Sequence, residues 1–173
     1  TARSPFSDAF STSFDTCASL GATSLLVNGH SVTRGSRVST EWFEQDATDQ
    51  AAAIARGELD PRELVAAARE RLEQLDPKLG ILSVLSGGDD AAVDVALATG
   101  GAFRGVPFLM KDVGARQAGR PYYAGNRALR AADHRADADT PLGARFRELG
   151  LVTLGNSRSP EFGLQSNTWP LVQ

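Results

Sequence analysis

Apolar residues in the stretch DATDQAAAIARG, residues 46–57, recur at the spacing of one face of an α-helix. The apolar positions are Ala51, Ile54 and Ala55. Asp46 and Thr48 are candidate capping residues, and Gly57 is a candidate terminator. The pattern therefore predicts a short helix.

A longer helical pattern follows in LDPRELVAAARERLEQLDP. Asp60 can accept hydrogen bonds from the first free amides, Pro61 suits the first helical position, and Glu63 completes a capping pattern. Pro77 is expected to close the helix. Its apolar stripe consists of Leu64, Val65, Ala68, Leu72 and Leu75.

Strand and helix patterns alternate along the rest of the chain. Strands are predicted for GILSVLS and GVPFLMKDVG, with the helix DDAAVDVALATG between them ending before Gly100. A further helix, TPLGARFRELG, has Thr140 as cap, Pro141 at its first position and Gly150 as terminator, and the strand LVTL follows it. Strand, crossover helix and strand form a parallel unit, which predicts an α/β fold with helices on the faces of a sheet.

A polar stretch rich in Gly and Arg, residues 114–139, separates the strand GVPFLMKDVG from the helix at Thr140. Its length of about 25 residues exceeds that of an ordinary connection in a compact domain. Because long loops beside strand ends often carry binding and catalytic residues, we expect functional residues here.

The first 40 residues differ in composition from the rest of the chain. They are rich in Ser and Thr and contain neither Lys nor Glu. We interpret residues 1–44 as a flexible or loosely packed leader and residues 45–173 as the main domain. An alternative function for the leader is that Thr1 acts as an N-terminal nucleophile whose own amine serves as base.

Composition and charge exclude several functions. A chain of 173 residues with 42% hydrophobic residues can bury a core, and a net charge of −3 gives no basic footprint for nucleic acid. No apolar run is long enough for a membrane span. Cys17 is the only cysteine, and His30 and His134 are isolated, so we expect no metal and no cofactor. A soluble, cytoplasmic protein is expected.

Lys111 stands where the apolar run from Val106 to Met110 ends. A lysine in this position is usually a surface charge with its stem along the apolar surface. However, Lys78 and Lys111 are the only lysines among 18 basic residues. Arginine stays protonated near neutral pH, whereas a desolvated lysine can become a general base, so Lys111 is also a candidate catalytic residue.

Three stretches of the chain resemble the amidase signature family. GVPFLMKD resembles its lysine motif, and RELGLVTLGNSRSPEFG is similar to a later stretch of the form A-G-x-x-x-x-G-K-T-N-x-P-E-F-G. The helix ELVAAARERLEQLDPKL resembles the family's N-terminal helix. The resemblance runs in order from about residue 46 to residue 170, and ADHRADADTPLGARFRELG is similar to bacterial members such as 6-aminohexanoate-cyclic-dimer hydrolases.

The resemblance implies the N-terminal part of an amidase-signature fold, a mixed sheet with flanking helices. It also implies hydrolysis of a linear or cyclic carboxamide by a Ser, cis-Ser, Lys triad, in which Lys111, held neutral, is the base. Tyr122 and Tyr123 are candidates to line an acyl pocket or to pack the loop. Gly125 and Asn126 are further candidates for substrate binding, Asn126 standing where the family often has Ser. Asp112 is expected to hold backbone amides or the loop.

Both serines of the family's triad belong to a glycine-rich region that is not found in residues 1–173. Ser86 lies upstream of the lysine, and Ser157, Ser159 and Ser166 lack flanking glycines, so the latter three are interpreted as hydroxyls that satisfy turns. We therefore expect a truncated amidase that is inactive by itself. The alternative is a non-catalytic, truncated α/β interaction domain whose exposed sheet edge binds a partner. The exposed edge of a truncated fold is also expected to cause self-association.

The stretch at residues 156–158 departs from the family pattern. Asn156, Ser157 and Arg158 stand where the family usually has Lys or Arg, Thr and Asn. These differences put the local hydrogen bonding in question but leave Lys111 unaffected.

Overall fold

The computed structural model of the chain describes residues 26–27, 30–31 and 40–168. The chain divides into two units, Thr1–Gly35 and Ser36–Gln173. In the first unit, strand β1 (Leu26–Val27) pairs antiparallel with β2 (His30–Ser31). The prediction for Thr1 lies outside the described residues, and the division of the chain at residue 44 stays a prediction.

The second unit alternates helices and strands. Its regular helices are α1 (Ala47–Arg56), α2 (Pro61–Leu79), α3 (Asp90–Ala98), α4 (Arg127–Ala131) and α5 (Pro141–Glu148). Its strands are β3 (Leu82–Leu85), β4 (Pro107–Lys111) and β5 (Val152–Ser157). Two 3-10 helices, Thr40–Phe43 and Glu161–Gly163, complete the set. Every helix and strand predicted from residue 46 onward is present.

The three strands form a mixed sheet in the order β3-β5-β4. Strand β5 pairs antiparallel with β3 and parallel with β4. The chain between the parallel strands contains α5, as a parallel connection requires. The predicted α/β class and mixed sheet are therefore confirmed. In the parallel pair, Lys111 stands opposite Ser157, so the last residues of β4 and β5 meet at one edge of the sheet.

Local capping starts α1 and α2 where the sequence predicts. The Asp46 side chain accepts from the amides of Thr48 and Asp49, and the Asp60 side chain accepts from the amide of Arg62. Gly57 ends α1 in the left-handed conformation, in which glycine has no steric penalty.

The predicted end of α2 at Pro77 is wrong. Pro77 lies inside the helix, which continues to Leu79 and ends at Gly80 in the left-handed conformation. Proline removes the bond that its own amide would donate and crowds the carbonyl four residues earlier, but amides further along the chain can still bond. The amide of Gly80 still donates to the carbonyl of Asp76 at 2.8 Å and closes the final turn. The Asp76 carboxylate then accepts from the amide of Leu82 at 2.7 Å and leads the chain into β3.

The core lies between α2, α3 and β5. It consists of Val65, Val93, Ala96, Val152 and Leu154, each buried. Ala68 and Leu72 from the predicted stripe of α2 pack against it, whereas Leu64 belongs to a second cluster with Ala53 and Leu59. This packing fixes β5, the central strand, and thereby the edge where Lys111 lies. Among the residues that the structure describes, no helix is both long and apolar enough to cross a membrane.

The polar stretch 114–139 contains more regular structure than the loop expected from its composition. Helix α4 begins after Asn126, whose side-chain oxygen accepts from the amide of Leu129 at 3.0 Å. Pro121 and Arg135 form an isolated antiparallel bridge. The stretch therefore folds back on itself beside the end of β4.

Candidate functional site

Lys111 is the last residue of β4, and its side chain is exposed. Its Nζ donates a hydrogen bond to the backbone carbonyl of Arg158. A groove of about 660 Å³ opens beside it, lined by residues 76–81 and by Lys111, Ser157, Arg158 and Thr168. The amine therefore lies at the junction of two strand ends, where molecules in solution can reach it.

The strand before Lys111 orders the lysine without burying it. Met110 is 1% exposed and anchors the end of β4, but the Lys111 side chain extends beyond the core. In the described part of the chain, no carboxylate forms an ion pair with Lys111. The described residues thus supply a backbone carbonyl as the partner of the amine and leave the side chain exposed.

Residues 111 and 112 are bound to three consecutive residues, the last residue of β5 and the two that follow it. The Asp112 amide donates to the carbonyl of Ser157 at 3.0 Å, and the Ser159 hydroxyl donates to the carbonyl of Asp112 at 3.2 Å. Between these bonds, the carbonyl of Arg158 accepts from Lys111. The backbone beside the lysine is therefore held independently of any side chain at position 112.

Arg158 connects this junction to β3. Its amide donates to the carbonyl of Ile81 at 2.8 Å, and its Nε donates to the carbonyl of Leu82 at 2.8 Å. The carbonyl that holds Lys111 is thus anchored to the opposite strand of the sheet. Position 158, where the sequence departs from the family pattern, is part of the support for the lysine.

Asp112 follows Lys111 but is completely buried, at 0% exposure. Its Oδ1 accepts from the amide of Tyr123 at 3.0 Å and from Nδ2 of Asn156 at 3.3 Å. Its Oδ2 accepts from the hydroxyl of Ser83 at 2.7 Å and from the amide of Gly125 at 3.3 Å. The prediction that Asp112 holds backbone amides is confirmed.

The two tyrosines make contacts within the polar stretch. The Tyr123 hydroxyl donates to Oδ1 of Asp133 at 2.7 Å, and burial raises the pKa of the Tyr123 phenol, with this hydrogen bond adding to the shift. The ring of Tyr122 meets His134 edge-on at 6.4 Å and lies 5.2 Å from the guanidinium carbon of Arg116. Neither Tyr122 nor Tyr123 is among the described residues that line the groove at Lys111. Their role in substrate binding stays a prediction.

Gly125 and Asn126 lie at the end of the loop that Asp112 holds. Gly125 has a φ of +65°, and a Cβ there would come within 2.5 Å of the carbonyl oxygen of Ser159. This position therefore requires glycine. The Asn126 side chain caps α4 and donates to Oε1 of Glu161 at 2.6 Å. Their role in substrate binding likewise stays a prediction.

Three polar residues of this junction were not predicted from the sequence. Ser83, Asn156 and Ser159 are buried, and all three contact Asp112. Ser159 was expected to satisfy a turn, but its hydroxyl instead joins two strand ends that lie 47 residues apart in sequence. Position 156 was noted only as a departure from the family pattern, and its Nδ2 also donates to the carbonyl of Pro121 at 2.9 Å.

Within residues 26–27, 30–31 and 40–168, no group of three or more His, Cys, Asp or Glu side chains is arranged to hold a metal ion. His134 instead contacts Tyr122 and uses its carbonyl to accept from the Tyr122 amide at 2.9 Å.

No protein-family model matches the chain. The chain is 32% identical over 126 residues to the 6-aminohexanoate-cyclic-dimer hydrolase of Paenarthrobacter ureafaciens, a match that covers 73% of this chain and 25% of that protein. The solved structure of a 6-aminohexanoate cyclic dimer hydrolase complexed with substrate superposes with a TM-score of 0.67 at 30% identity, covering 74% of this chain and 26% of that one.

A second solved structure is a bacterial aryl acylamidase of the amidase signature enzymes family. It superposes with a TM-score of 0.58 at 28% identity over 68% of this chain and 26% of that one. The chain spans about a quarter of the length of the relatives that it matches. The α/β sheet, the ordered lysine motif and these similarities agree, and the chain belongs to the amidase signature family.

Proposed function

We propose that this chain contributes the general base, Lys111, to an amidase that hydrolyses a carboxamide C–N bond. The observation that carries the proposal is the position of the Lys111 amine. It stands at the joined ends of β4 and β5, opens on a groove, and has the carbonyl of Arg158 as partner instead of a carboxylate. A carboxylate partner would favour the charged form of the amine, whereas a base must be neutral.

The chemistry proposed for Lys111 is a proton relay. A neutral amine that donates one N–H to the carbonyl of Arg158 keeps its lone pair for a proton. That proton comes from a bridging serine, which in turn takes the proton of the nucleophilic serine as the latter attacks the amide carbon. The protons return to the leaving nitrogen as the C–N bond breaks. Arginine cannot take this role because its guanidinium remains protonated.

The substrate proposed is a small linear or cyclic amide. The similarity of the chain to a 6-aminohexanoate-cyclic-dimer hydrolase and to an aryl acylamidase supports this proposal. We assign substrate contacts to the loop that Asp112 binds, in which Tyr122 and Tyr123 would line an acyl pocket and Gly125 and Asn126 would contact the substrate.

The serines of the relay are proposed to come from outside residues 1–173. A glycine-rich serine region is not found in this sequence. Residues 1–173 alone should therefore release no amine from aryl amides and take no label from a fluorophosphonate probe. Labelling of any serine within these residues would contradict the proposal.

The test of the base uses the complete enzyme that contains this chain. Lys111→Ala should lower kcat by about 100-fold to 10,000-fold, the usual contribution of general acid–base catalysis, and Lys111→Arg should be nearly as inactive. Arg56→Lys is the control, since it exchanges the same two residue types at an exposed ion pair with Glu58 that does not line the groove, and it should keep normal turnover. Near-normal turnover of Lys111→Arg would make Lys111 an electrostatic or structural cation.

A second proposal, that residues 1–173 self-associate, is favoured by the strand order. Among the described strands, β3 and β4 each pair only with β5, so each leaves one edge unpaired. Pro107, Phe108 and Leu109 of β4 also line an apolar groove of about 300 Å³ beside α2. Sedimentation of residues 1–173 should give a dimer or larger species, and a compact monomer at all concentrations would contradict this proposal.

A further inference from the structure

We propose that Asp112 is a positioning residue, which fixes the loop Tyr123–Asn126 beside Lys111 and thereby sets where an amide substrate is bound. The inference rests on the function proposed above. Asp112 does not exchange protons with the substrate in this account. It acts through the loop.

The Asp112 carboxylate is buried among neutral donors. It accepts from two side chains, Ser83 and Asn156, and from the backbone amides of Tyr123 and Gly125. A buried carboxylate is costly unless hydrogen bonds satisfy it. Without it, the hydroxyl of Ser83 and the amides of Tyr123 and Gly125 would lose their buried acceptor, whereas Nδ2 of Asn156 would keep its bond to the carbonyl of Pro121. The carboxylate thus ties β3, β5 and the loop together at one point.

The loop adopts a backbone conformation that needs this support. Ala124 and Gly125 both have positive φ, of 49° and 65°, and Ala124 is fully buried. Such a conformation is unfavourable for alanine and persists only where the surroundings impose it. It turns the amides of Tyr123 and Gly125 toward one point, which forms a small concave site for an anion. The Asp112 carboxylate occupies that site.

Lys111 itself does not depend on the Asp112 side chain. The backbone of residue 112 is held by the carbonyl of Ser157 and the hydroxyl of Ser159, and the lysine amine is held by Arg158. Replacing the carboxylate with an amide of the same shape would therefore release the loop and leave the lysine in place. Because an amide has one acceptor oxygen, at least one loop amide would then face a second donor.

The experiment compares Asp112→Asn with Asp139→Asn in the complete enzyme. Asp139 also accepts a backbone amide from the polar stretch, that of Ala118 at 2.6 Å, but away from the loop beside Lys111. For Asp112→Asn we expect KM to rise about tenfold, the effect of losing one hydrogen bond to a charged group, with the pH profile of kcat unchanged. Hydrogen exchange of the peptide covering residues 121–126 should accelerate. Asp139→Asn should change neither KM nor the hydrogen exchange of residues 121–126.

Three outcomes would overturn the proposal: unchanged exchange of residues 121–126, faster exchange with an unchanged KM, or a shifted pH profile of kcat. The last outcome would mean that Asp112 acts on the lysine. Lys111→Ala separates this proposal from the function on which it rests. It should abolish turnover without altering loop exchange, and normal turnover in that variant would refute Lys111 as base whatever Asp112 does.

A second variant covers the case in which Asp112→Asn does not fold. Ser83→Ala removes one donor to Oδ2 and keeps the carboxylate and both loop amides. We expect a smaller rise in KM in the same direction, again with an unchanged pH profile of kcat. An unchanged KM in this variant would count against Asp112 as a positioning residue.

Discussion

The start of α2 and the loop beside Lys111 both use an aspartate to hold free backbone amides. Asp60 is exposed and accepts from Arg62, two residues further along the chain. Asp112 is fully buried and accepts from Tyr123 and Gly125, 11 and 13 residues further along.

The two sites show how burial and sequence separation change the cost of losing an aspartate that accepts backbone amides. At Asp60, water can replace the lost acceptor, and the helix is also held by its apolar stripe. At Asp112, the hydroxyl of Ser83 and the amides of Tyr123 and Gly125 bind the buried carboxylate, and only Nδ2 of Asn156 has a second described acceptor, the carbonyl of Pro121. The energetic cost of losing the carboxylate should therefore be larger at position 112, and the conformation that depends on it should extend over several segments.

The largest effect is expected for Asp112→Ala. It leaves the hydroxyl of Ser83 and two loop amides without their buried acceptor, while the side chain of Asn156 keeps only its bond to the carbonyl of Pro121. We expect the free energy of unfolding to fall by at least about 3 kcal/mol, measured by urea denaturation. A loss below about 1 kcal/mol would mean that the donors find other partners, and burial would then not distinguish the two aspartates.

Gly125→Ala tests the loop without touching the carboxylate. The added Cβ would lie 2.5 Å from the carbonyl oxygen of Ser159. In addition, alanine would have to adopt a φ of +65°, which is unfavourable for a residue with a side chain. A loss of about 1 to 3 kcal/mol in the free energy of unfolding is expected. Gly57→Ala is the comparison, since a Cβ there meets nothing within 4 Å and the variant carries only the conformational penalty. Equal losses in both variants would argue against close packing of Gly125.

Asp60→Ala is expected to have a smaller effect. It removes the acceptor for the amide of Arg62 at the start of α2 and should lower the free energy of unfolding by about 0.5 to 2 kcal/mol. Urea denaturation measures this change, and Asp60→Asn, which keeps an acceptor, should recover most of it. An unchanged denaturation midpoint for Asp60→Ala would show that the cap does not stabilise this helix.

The smallest effect concerns the pH dependence at Tyr123, whose bond to Asp133 spans ten residues. Burial raises the pKa of the Tyr123 phenol above its unfolded value of about 10. The folded state therefore binds the phenol proton of Tyr123 more tightly than the unfolded state does. The contribution of this phenol to the free energy of unfolding is complete below about pH 10, and it is lost as the pH rises through the pKa of the folded state. Urea denaturation between pH 8 and pH 11 should reveal this loss, and Tyr123→Phe should remove it. In Tyr122→Phe the loss should remain.

Much of the fold followed from patterns of a few residues. The caps at Asp46, Asp60 and Thr140 were predicted because each binds amides two or three residues away. The end of α2 was predicted wrongly at Pro77 because a proline is a local signal for the end of a helix. The helix continues past Pro77 because the amide of Gly80 donates to the carbonyl of Asp76, which the local signal does not indicate. Helix α4 was missed because its cap lies in a stretch whose composition indicates a loop.

From residue 46 onward, the sequence by itself determined the order of the strands and of the α-helices other than α4. It also determined the α/β class and the family, and it marked Lys111 as a candidate base and Asp112 as an acceptor for amides. Tertiary structure alone decided which groups meet at the end of β4. Ser83, Asn156 and Ser159 reach Asp112 from 29, 44 and 47 residues away in sequence. Periodicity and capping report the energetics of neighbouring residues. Contacts at such separations depend instead on how the three strands pack and on which buried polar groups then find partners.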